Sequence, residues 1–183
     1  MKKNNIHFYD VRQGSEEWLK LRDGLFTGSN VYTELLCNKP KQIFVDNFWA
    51  KRGRDLEGQS IEIYERIKNC VVEHTGFVTN DKYPNAGYSP DGFNDVLIET
   101  KSFAEVKHLS INRLEDVPPE VNAQVQLGMM ILEKDETDLL LYNPDVQPKD
   151  AFKVICIKAD KKIQDNIKNK LQERDIEQST VSV

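Results

Sequence analysis

Apolar positions recur along this chain with a helical spacing over its first part and a shorter, alternating one in its middle. Among the first fifty residues, Ser15 is placed to cap a helix carrying Trp18, Leu21, Arg22 and Leu25. Glu16 and Glu17 then sit in the first turn, where carboxylates suit the helix dipole. Thr27-Gly28-Ser29 interrupts the pattern. A second helix is predicted from about Asn30, and a third around Ile43 to Ala50 with Phe44, Phe48 and Trp49. From about Arg54 to His74, the residues Leu56, Ile63, Ile67 and Cys70 fall near i, i+7, i+11 and i+14, which predicts one long helix stopped by Gly76.

The period then shortens. Phe77-Val78-Thr79 reads as a short strand, followed by a strand–turn–strand unit: Ala86 to Ser89, a turn through Pro90-Asp91-Gly92, then Val96 to Phe103. Pro118-Pro119 opens a helix from Glu120 to Leu132. Strands from Asp138 to Tyr142 and from Phe152 to Ile157 precede a last helix, capped by Asp160, with the stripe Ile163, Ile167 and Leu171. The tail from Gln178 is expected to fray. The order predicts an α/β (α+β) chain, a mixed sheet with helices on its faces. Without repeats or linkers, residues 1–183 read as one domain, with a helical part over about 1–75 and a sheet-containing core over about 76–175.

Composition narrows the function classes. Of 183 residues, 39% are hydrophobic and 30% charged, as in an ordinary globular domain. No run approaches a membrane span, and Met1-Lys2-Lys3-Asn4-Asn5-Ile6 begins like a signal peptide without the apolar segment that should follow. The expected location is the cytoplasm, where Cys37, Cys70 and Cys156 stay free thiols. Neither they nor His7, His74 and His108 cluster at zinc-site spacing. The net charge of −5 argues against a passive nucleic-acid binder, yet suits an enzyme that gathers acidic groups around a metal.

The candidate chemistry centres on Asp91 and the triplet Glu99-Thr100-Lys101. On a strand, residues i and i+2 share a face, so Glu99 and Lys101 project together while Ile98 and Thr100 turn into apolar packing. Two carboxylates converging across a hairpin suit Mg²⁺, a hard cation that prefers oxygen. The neighbouring ammonium is placed to orient or help deprotonate a water for phosphodiester attack. Such triplets are common in a charged chain, and Glu105-Val106-Lys107 is a second. The first is favoured by the apolar run Val96-Leu97-Ile98 leading into it and by a turn aspartate within reach. Glu57 offers a third carboxylate, or is a solvated helix residue. Gln124 borders the stripe of Val121, Val125, Gly128 and Leu132, whereas Gln126, about 200° away, points elsewhere. Arg22 with Ser29 forms a candidate phosphate site: a guanidinium, a hydroxyl and a helix N-terminus.

These pieces resemble the lambda-exonuclease family of viral recombination nucleases, the YqaJ-type family within the PD-(D/E)XK nucleases. The matching segments run in the family's order. Trp18-Leu19-Lys20-Leu21-Arg22 and Thr27-Gly28-Ser29 come first, followed by Gly53 to Glu57 and His74-Thr75-Gly76. Ser89-Pro90-Asp91-Gly92, Ile98 to Lys101, Ala123 to Gln126 and Tyr142-Asn143-Pro144 complete the set. The resemblance implies a restriction-endonuclease-like αβββαβ core. It makes Asp91, Glu99, Glu57 and the Thr100 carbonyl metal ligands, for Mg²⁺ with Mn²⁺ as substitute. It makes Lys101 the catalytic lysine and Gln124 the water-positioning amide, and it gives Arg22 and Ser29 the 5′-phosphate of a DNA end. Two positions depart from the family pattern: Gly58-Gln59-Ser60 follows Glu57, and Val121 stands where a tyrosine is common. The implied partners are ends of double-stranded DNA and a single-strand-annealing protein; a trimer is allowed, not required.

The resulting expectation is a 5′→3′ exonuclease that leaves 3′ overhangs for phage-type recombination. A nicking or junction-resolving endonuclease on the same fold is the second reading. A non-catalytic DNA- or protein-binding module is the third, and the intact Asp91, Glu99 and Lys101 set counts against it.

Overall fold

The computed structural model describes residues 5–40 and 48–181, with the backbone alone at 175 and 177–181. In chain order the elements are β1 (Ile6–Tyr9), α1 (Glu16–Arg22), a π-helical turn (Val31–Leu36), α2 (Phe48–Lys68), β2 (Phe77–Asn80), β3 (Gly87–Tyr88), β4 (Gly92–Phe93) and β5 (Leu97–Lys101). There follow α3 (Glu105–Ser110), a 3₁₀ turn (Leu114–Asp116), α4 (Pro119–Leu132), β6 (Glu136–Tyr142), β7 (Phe152–Lys158) and α5 (Lys161–Val181).

The strands divide between two sheets. One is antiparallel, in the order β1-β2-β3. The other is mixed, β4-β5-β6-β7, with only β5 and β6 parallel. A parallel pair needs a crossover, and the segment through α3 and α4 provides it. α4 packs on strands of both sheets, and ten of its residues are buried, from Val121 to Leu132. The expected single stripe on this helix was too narrow, because α4 is enclosed on nearly every side. Alternation along β5 explains where the site lies. Leu97 points into the main core with α4, Ile98 into a smaller cluster with Ile61, Tyr64, Val72 and Leu140, and Glu99 returns to the α4 side.

Several boundaries differ from the sequence pattern. Ile6–Tyr9 is a strand inside a stretch read as helical; it is too short to show a period, and its pairing with β2 holds it. The helix expected from Asn30 is a six-residue π turn. Of the third helix, Phe48 and Trp49 open α2, while Ile43 and Phe44 lie outside the described residues. α2 ends at Lys68, where Asn69 takes φ 50°, and not at Gly76. Its buried face is Leu56, Ser60, Ile61 and Tyr64, leaving Ile67 64% exposed. Counting aliphatic positions missed this face because Tyr64 is buried with its hydroxyl on Asp138, at 2.7 Å. Gly76 serves a different purpose: a Cβ there would stand 1.7 Å from the Val11 carbonyl oxygen, so glycine alone fits beside that backbone. The strand–turn–strand unit does not pair with itself. β3 joins the first sheet, and β5 takes the unforeseen β4 as its antiparallel partner. α3 was not foreseen either, and α5 continues as helix to Val181 through the tail expected to fray.

Other features match. Ser15 accepts the Trp18 amide at 3.2 Å, and Ile167 and Leu171 are buried. Asp160 Oδ1 accepts the amides of Lys162 and Ile163 at 2.9 and 3.1 Å. Replacing Asp160 by alanine is expected to lower stability by about 1 kcal/mol, measured by urea denaturation. Among the described residues no helix is long and apolar enough to cross a membrane.

Candidate active site

The register of β4 on β5 pairs Gly92 with Ile98, so its next step sets Asp91 opposite Glu99. Glu99 is 1% exposed and bonded from three sides. Its Oε1 accepts the Lys101 ammonium and the Gln124 amide, both at 2.6 Å, and its Oε2 accepts the Tyr88 hydroxyl at 2.6 Å. Asp91 Oδ2 accepts the Thr100 amide at 2.7 Å and the Thr100 hydroxyl at 3.0 Å. Thr100 therefore does not turn into apolar packing as its strand parity suggested; the adjacent carboxylate captures its hydroxyl. His74 Nδ1 lies 2.9 Å from the Asp91 carbonyl oxygen, which fixes Nδ1 as the donor.

Glu57 stands on the wall of a cleft of about 400 Å³ shared with Asp10, Arg54, His74 and Asp91. Burial, then Glu99 and Glu57, push the Asp91 pKa well above the usual carboxylate range, against an opposing pull from Lys101. Burial followed by Glu99 likewise raises Glu57. Burial opposes the charge on Lys101, yet Glu99, Asp91 and Glu57 outweigh it, and its pKa rises. Lys101 is thus an ammonium at neutral pH, a donor and not a base.

The crowding of like charges has a measurable consequence. Between the ordinary carboxylate range and the raised values, the folded chain keeps protons that the unfolded chain has released. Stability attached to Asp91 and Glu57 is therefore present at acidic pH and lost as pH rises through that window. Asp91→Asn removes one of the repelling charges. It is expected to raise the unfolding midpoint relative to the wild type at neutral pH, with no gain at acidic pH, when thermal melts are compared without added metal.

A second constellation lies alongside. The Arg22 guanidinium stacks over the Trp18 ring, 4.0 Å from its centroid, and donates to Thr27 and Ser29, each at 3.0 Å, and to Ser89 at 3.4 Å. Trp18 Nε1 donates to the same Ser89 hydroxyl at 2.9 Å. Burial lowers the Arg22 pKa to about 10, which still leaves it charged at neutral pH. Among the described residues no acidic side chain pairs with it. A half-buried cation held only by hydroxyls and a ring is suited to receive an anion.

The structure thus gathers Glu99, Lys101 and Gln124 into one hydrogen-bonded set and places Asp91, bonded to Thr100, opposite Glu99. Glu57 sits at its edge, and Arg22 and Ser29 form a separate pocket. Ser89-Pro90-Asp91 joins the two. Sequence reasoning missed Thr27 and Ser89 as pocket walls, although both stood in quoted motifs; Trp18, one helical turn before Arg22, was the available signal. It also missed Tyr88, for which no spacing gave a sign. The second triplet lies on α3 with Val106 84% exposed, a solvated helix face.

As oxygen donors of like charge at close quarters, Asp91 and Glu99 fit a hard divalent cation. Among the described residues, no three acidic, histidine or cysteine side chains stand ready around a common point. The fit is to this carboxylate pair, with Glu57 on the wall of the same cleft as Asp91.

Residues 17–138 match the family described as YqaJ-like viral recombinase domain. A comparison with curated proteins gives no match. Among solved structures, the chain resembles LHK-Exo, an alkaline exonuclease from Laribacter hongkongensis, with a TM-score of 0.71 and 24% identity over 92% of this chain and 96% of that one. LHK-Exo in complex with dAMP gives a TM-score of 0.72 and 22% identity over 91% and 96%. A phage-related exonuclease from Haemophilus somnus 129PT gives 0.59 and 15%, over 91% and 92%. These likenesses show the fold: an α+β, restriction-endonuclease-like core in which a mixed sheet is flanked by helices.

Proposed function

The chain belongs to the YqaJ-like viral recombinase domain family, and from that premise we propose that it is a Mg²⁺-dependent 5′→3′ exonuclease on double-stranded DNA, leaving 3′ overhangs for recombination by strand annealing. The observation that carries this reading is the convergence of Lys101 and Gln124 on the Glu99 carboxylate, with Asp91 opposite. Its direction rests on the Arg22 pocket, which a nuclease working away from ends does not need.

Asp91 and Glu99, with the Thr100 carbonyl, would hold Mg²⁺ or Mn²⁺, and Glu57 would complete or extend the set. When bound, the cation supplies the positive charge that activates water and polarises the phosphodiester. Lys101 places its fixed ammonium where negative charge builds on the phosphate. Gln124, anchored on buried α4, orients the attacking water through the amide edge not used by Glu99. Arg22, Thr27, Ser29 and Ser89 take the terminal 5′-phosphate, and Ser89-Pro90-Asp91 fixes its distance from the carboxylates. A 5′ exonuclease of this kind releases nucleoside monophosphates, the class of molecule with which LHK-Exo has been crystallised. An annealing protein that takes up the 3′ overhang would be its partner.

The test is a linear duplex with one 5′-phosphorylated, strand-labelled end, incubated with Mg²⁺ or with EDTA. Progressive Mg²⁺-dependent loss from the 5′ end, with covalently closed circles spared, is the expected result. Discrete internal cuts would instead assign the site to an endonuclease. Absence of cutting with both Mg²⁺ and Mn²⁺ would leave a DNA-binding role.

A further inference from the structure

One of the three groups holding Glu99 comes from the other sheet. Tyr88 lies on β3, paired with Val78 in the antiparallel sheet, while its hydroxyl reaches the carboxylate of β5 in the mixed one. The residue is fully buried, and its ring fills a slot that two glycines leave open. A Cβ on Gly28 would stand 2.9 Å from Tyr88 Cε2, and one on Gly128 would stand 2.6 Å from Tyr88 Cζ. Neither glycine has a positive φ, so what each contributes is room, Gly128 for the ring and Gly28 for the ring and the Gln124 side chain.

A buried phenol needs an acceptor, and any nearby backbone carbonyl would meet that need. Here the acceptor is a carboxylate, and the bond is short. The geometry matters because the end of a glutamate side chain turns easily about its last torsion. Lys101 and Gln124 both bond to Oε1 and leave the carboxylate plane free to swing about them. Tyr88 at Oε2 removes that freedom.

We propose that Tyr88 is a positioning residue that fixes the Glu99 carboxylate for cation binding. The inference rests on the nuclease reading above for the effect on cleavage, and on the geometry of Glu99 for the effect on the cation. Removing a group that orients a metal ligand typically costs roughly 10–100-fold in metal affinity or activity.

The experiment is Tyr88→Phe in the full chain, which keeps the ring in its slot and removes the hydroxyl alone. Calorimetric titration with Mg²⁺, without DNA, is expected to show affinity reduced by roughly 10–100-fold. On linear duplex, kcat is expected to fall while the KM for DNA stays within about twofold, the pattern of a lost contribution to the transition state. A merely structural tyrosine would leave both the Mg²⁺ affinity and kcat unchanged, and that result, or tighter Mg²⁺ binding, overturns the proposal. Should Tyr88→Phe not fold, Gly128→Ala decides. It retains the hydroxyl and crowds the Tyr88 ring and the Leu97 side chain, neither Lys101 nor Gln124 being among the atoms it meets; weaker Mg²⁺ binding supports the proposal while unchanged binding overturns it. A wild-type chain that binds Mg²⁺ without cutting DNA overturns the nuclease reading, and the Mg²⁺ affinity of Tyr88→Phe still decides the role of Tyr88. A wild type that binds no Mg²⁺ overturns both.

Discussion

Replacing Lys101 by alanine is expected to reduce DNA cleavage by about three orders of magnitude while leaving the fold in place. The Lys101 side chain is 24% exposed at the end of β5 and bonded to Glu99 at 2.6 Å, so a rigid strand holds the ammonium beside the carboxylate. Its raised pKa keeps it charged at neutral pH, which makes it a fixed positive charge for the phosphate. Alanine removes that charge without touching the apolar face of β5, where Leu97 and Ile98 are fully buried. Cation binding is expected to survive or tighten, because the departing ammonium had offset part of the negative charge of Asp91, Glu99 and Glu57. The measurement pairs Mg²⁺ calorimetry with single-turnover cleavage. Full activity in the variant would remove Lys101 from the mechanism. Loss of activity together with loss of cation binding would make its part structural.

The division between what the sequence disclosed and what it concealed follows the range of each interaction. Periodic elements long enough to show a period were legible: α4, β6, β7 and α5 lie close to where the pattern put them. β1 and β4 span four residues and two, and each exists because a partner distant in sequence supplies its ladder. No local propensity specifies such strands. The site shows the same division. Glu99 and Lys101 share a face because strand parity is a local rule, and Gln124 borders its helix stripe for a similar reason. Parity did not disclose the partner of Thr100, whose hydroxyl is drawn to Asp91 across the turn instead of lying in apolar packing. Tyr88 and Glu99 are eleven residues apart and on different sheets, and α4 packs against the strands of both. The polar partners of Gln126 were hidden likewise. It is buried, not turned away from the core, and accepts the Asp160 amide from across the fold.

Arg22→Ala is expected to slow digestion of 5′-phosphorylated ends by roughly thirtyfold to several thousandfold, the range for removing one partner of a desolvated charged contact. Ends carrying a 5′-hydroxyl are expected to lose far less. The neighbours of the guanidinium are the hydroxyls of Thr27, Ser29 and Ser89 and the Trp18 ring, none of which neutralises its charge. Burial has already stripped away part of its water, as the pKa near 10 records. An arriving phosphate therefore meets a cation whose desolvation cost was met in folding, with hydroxyls in place to donate to the remaining oxygens. Arg22→Lys keeps a charge but not the planar fork, and should recover only part of the loss. Ser89 is shared between this pocket and the segment leading to Asp91, so a collapse of the pocket would disturb both sites. Mg²⁺ titration of the variant separates these cases. Unchanged Mg²⁺ affinity with a selective loss on phosphorylated ends assigns Arg22 to the 5′-phosphate. An equal loss on both kinds of end would mean that the guanidinium holds the Ser89 segment, and with it Asp91, in place.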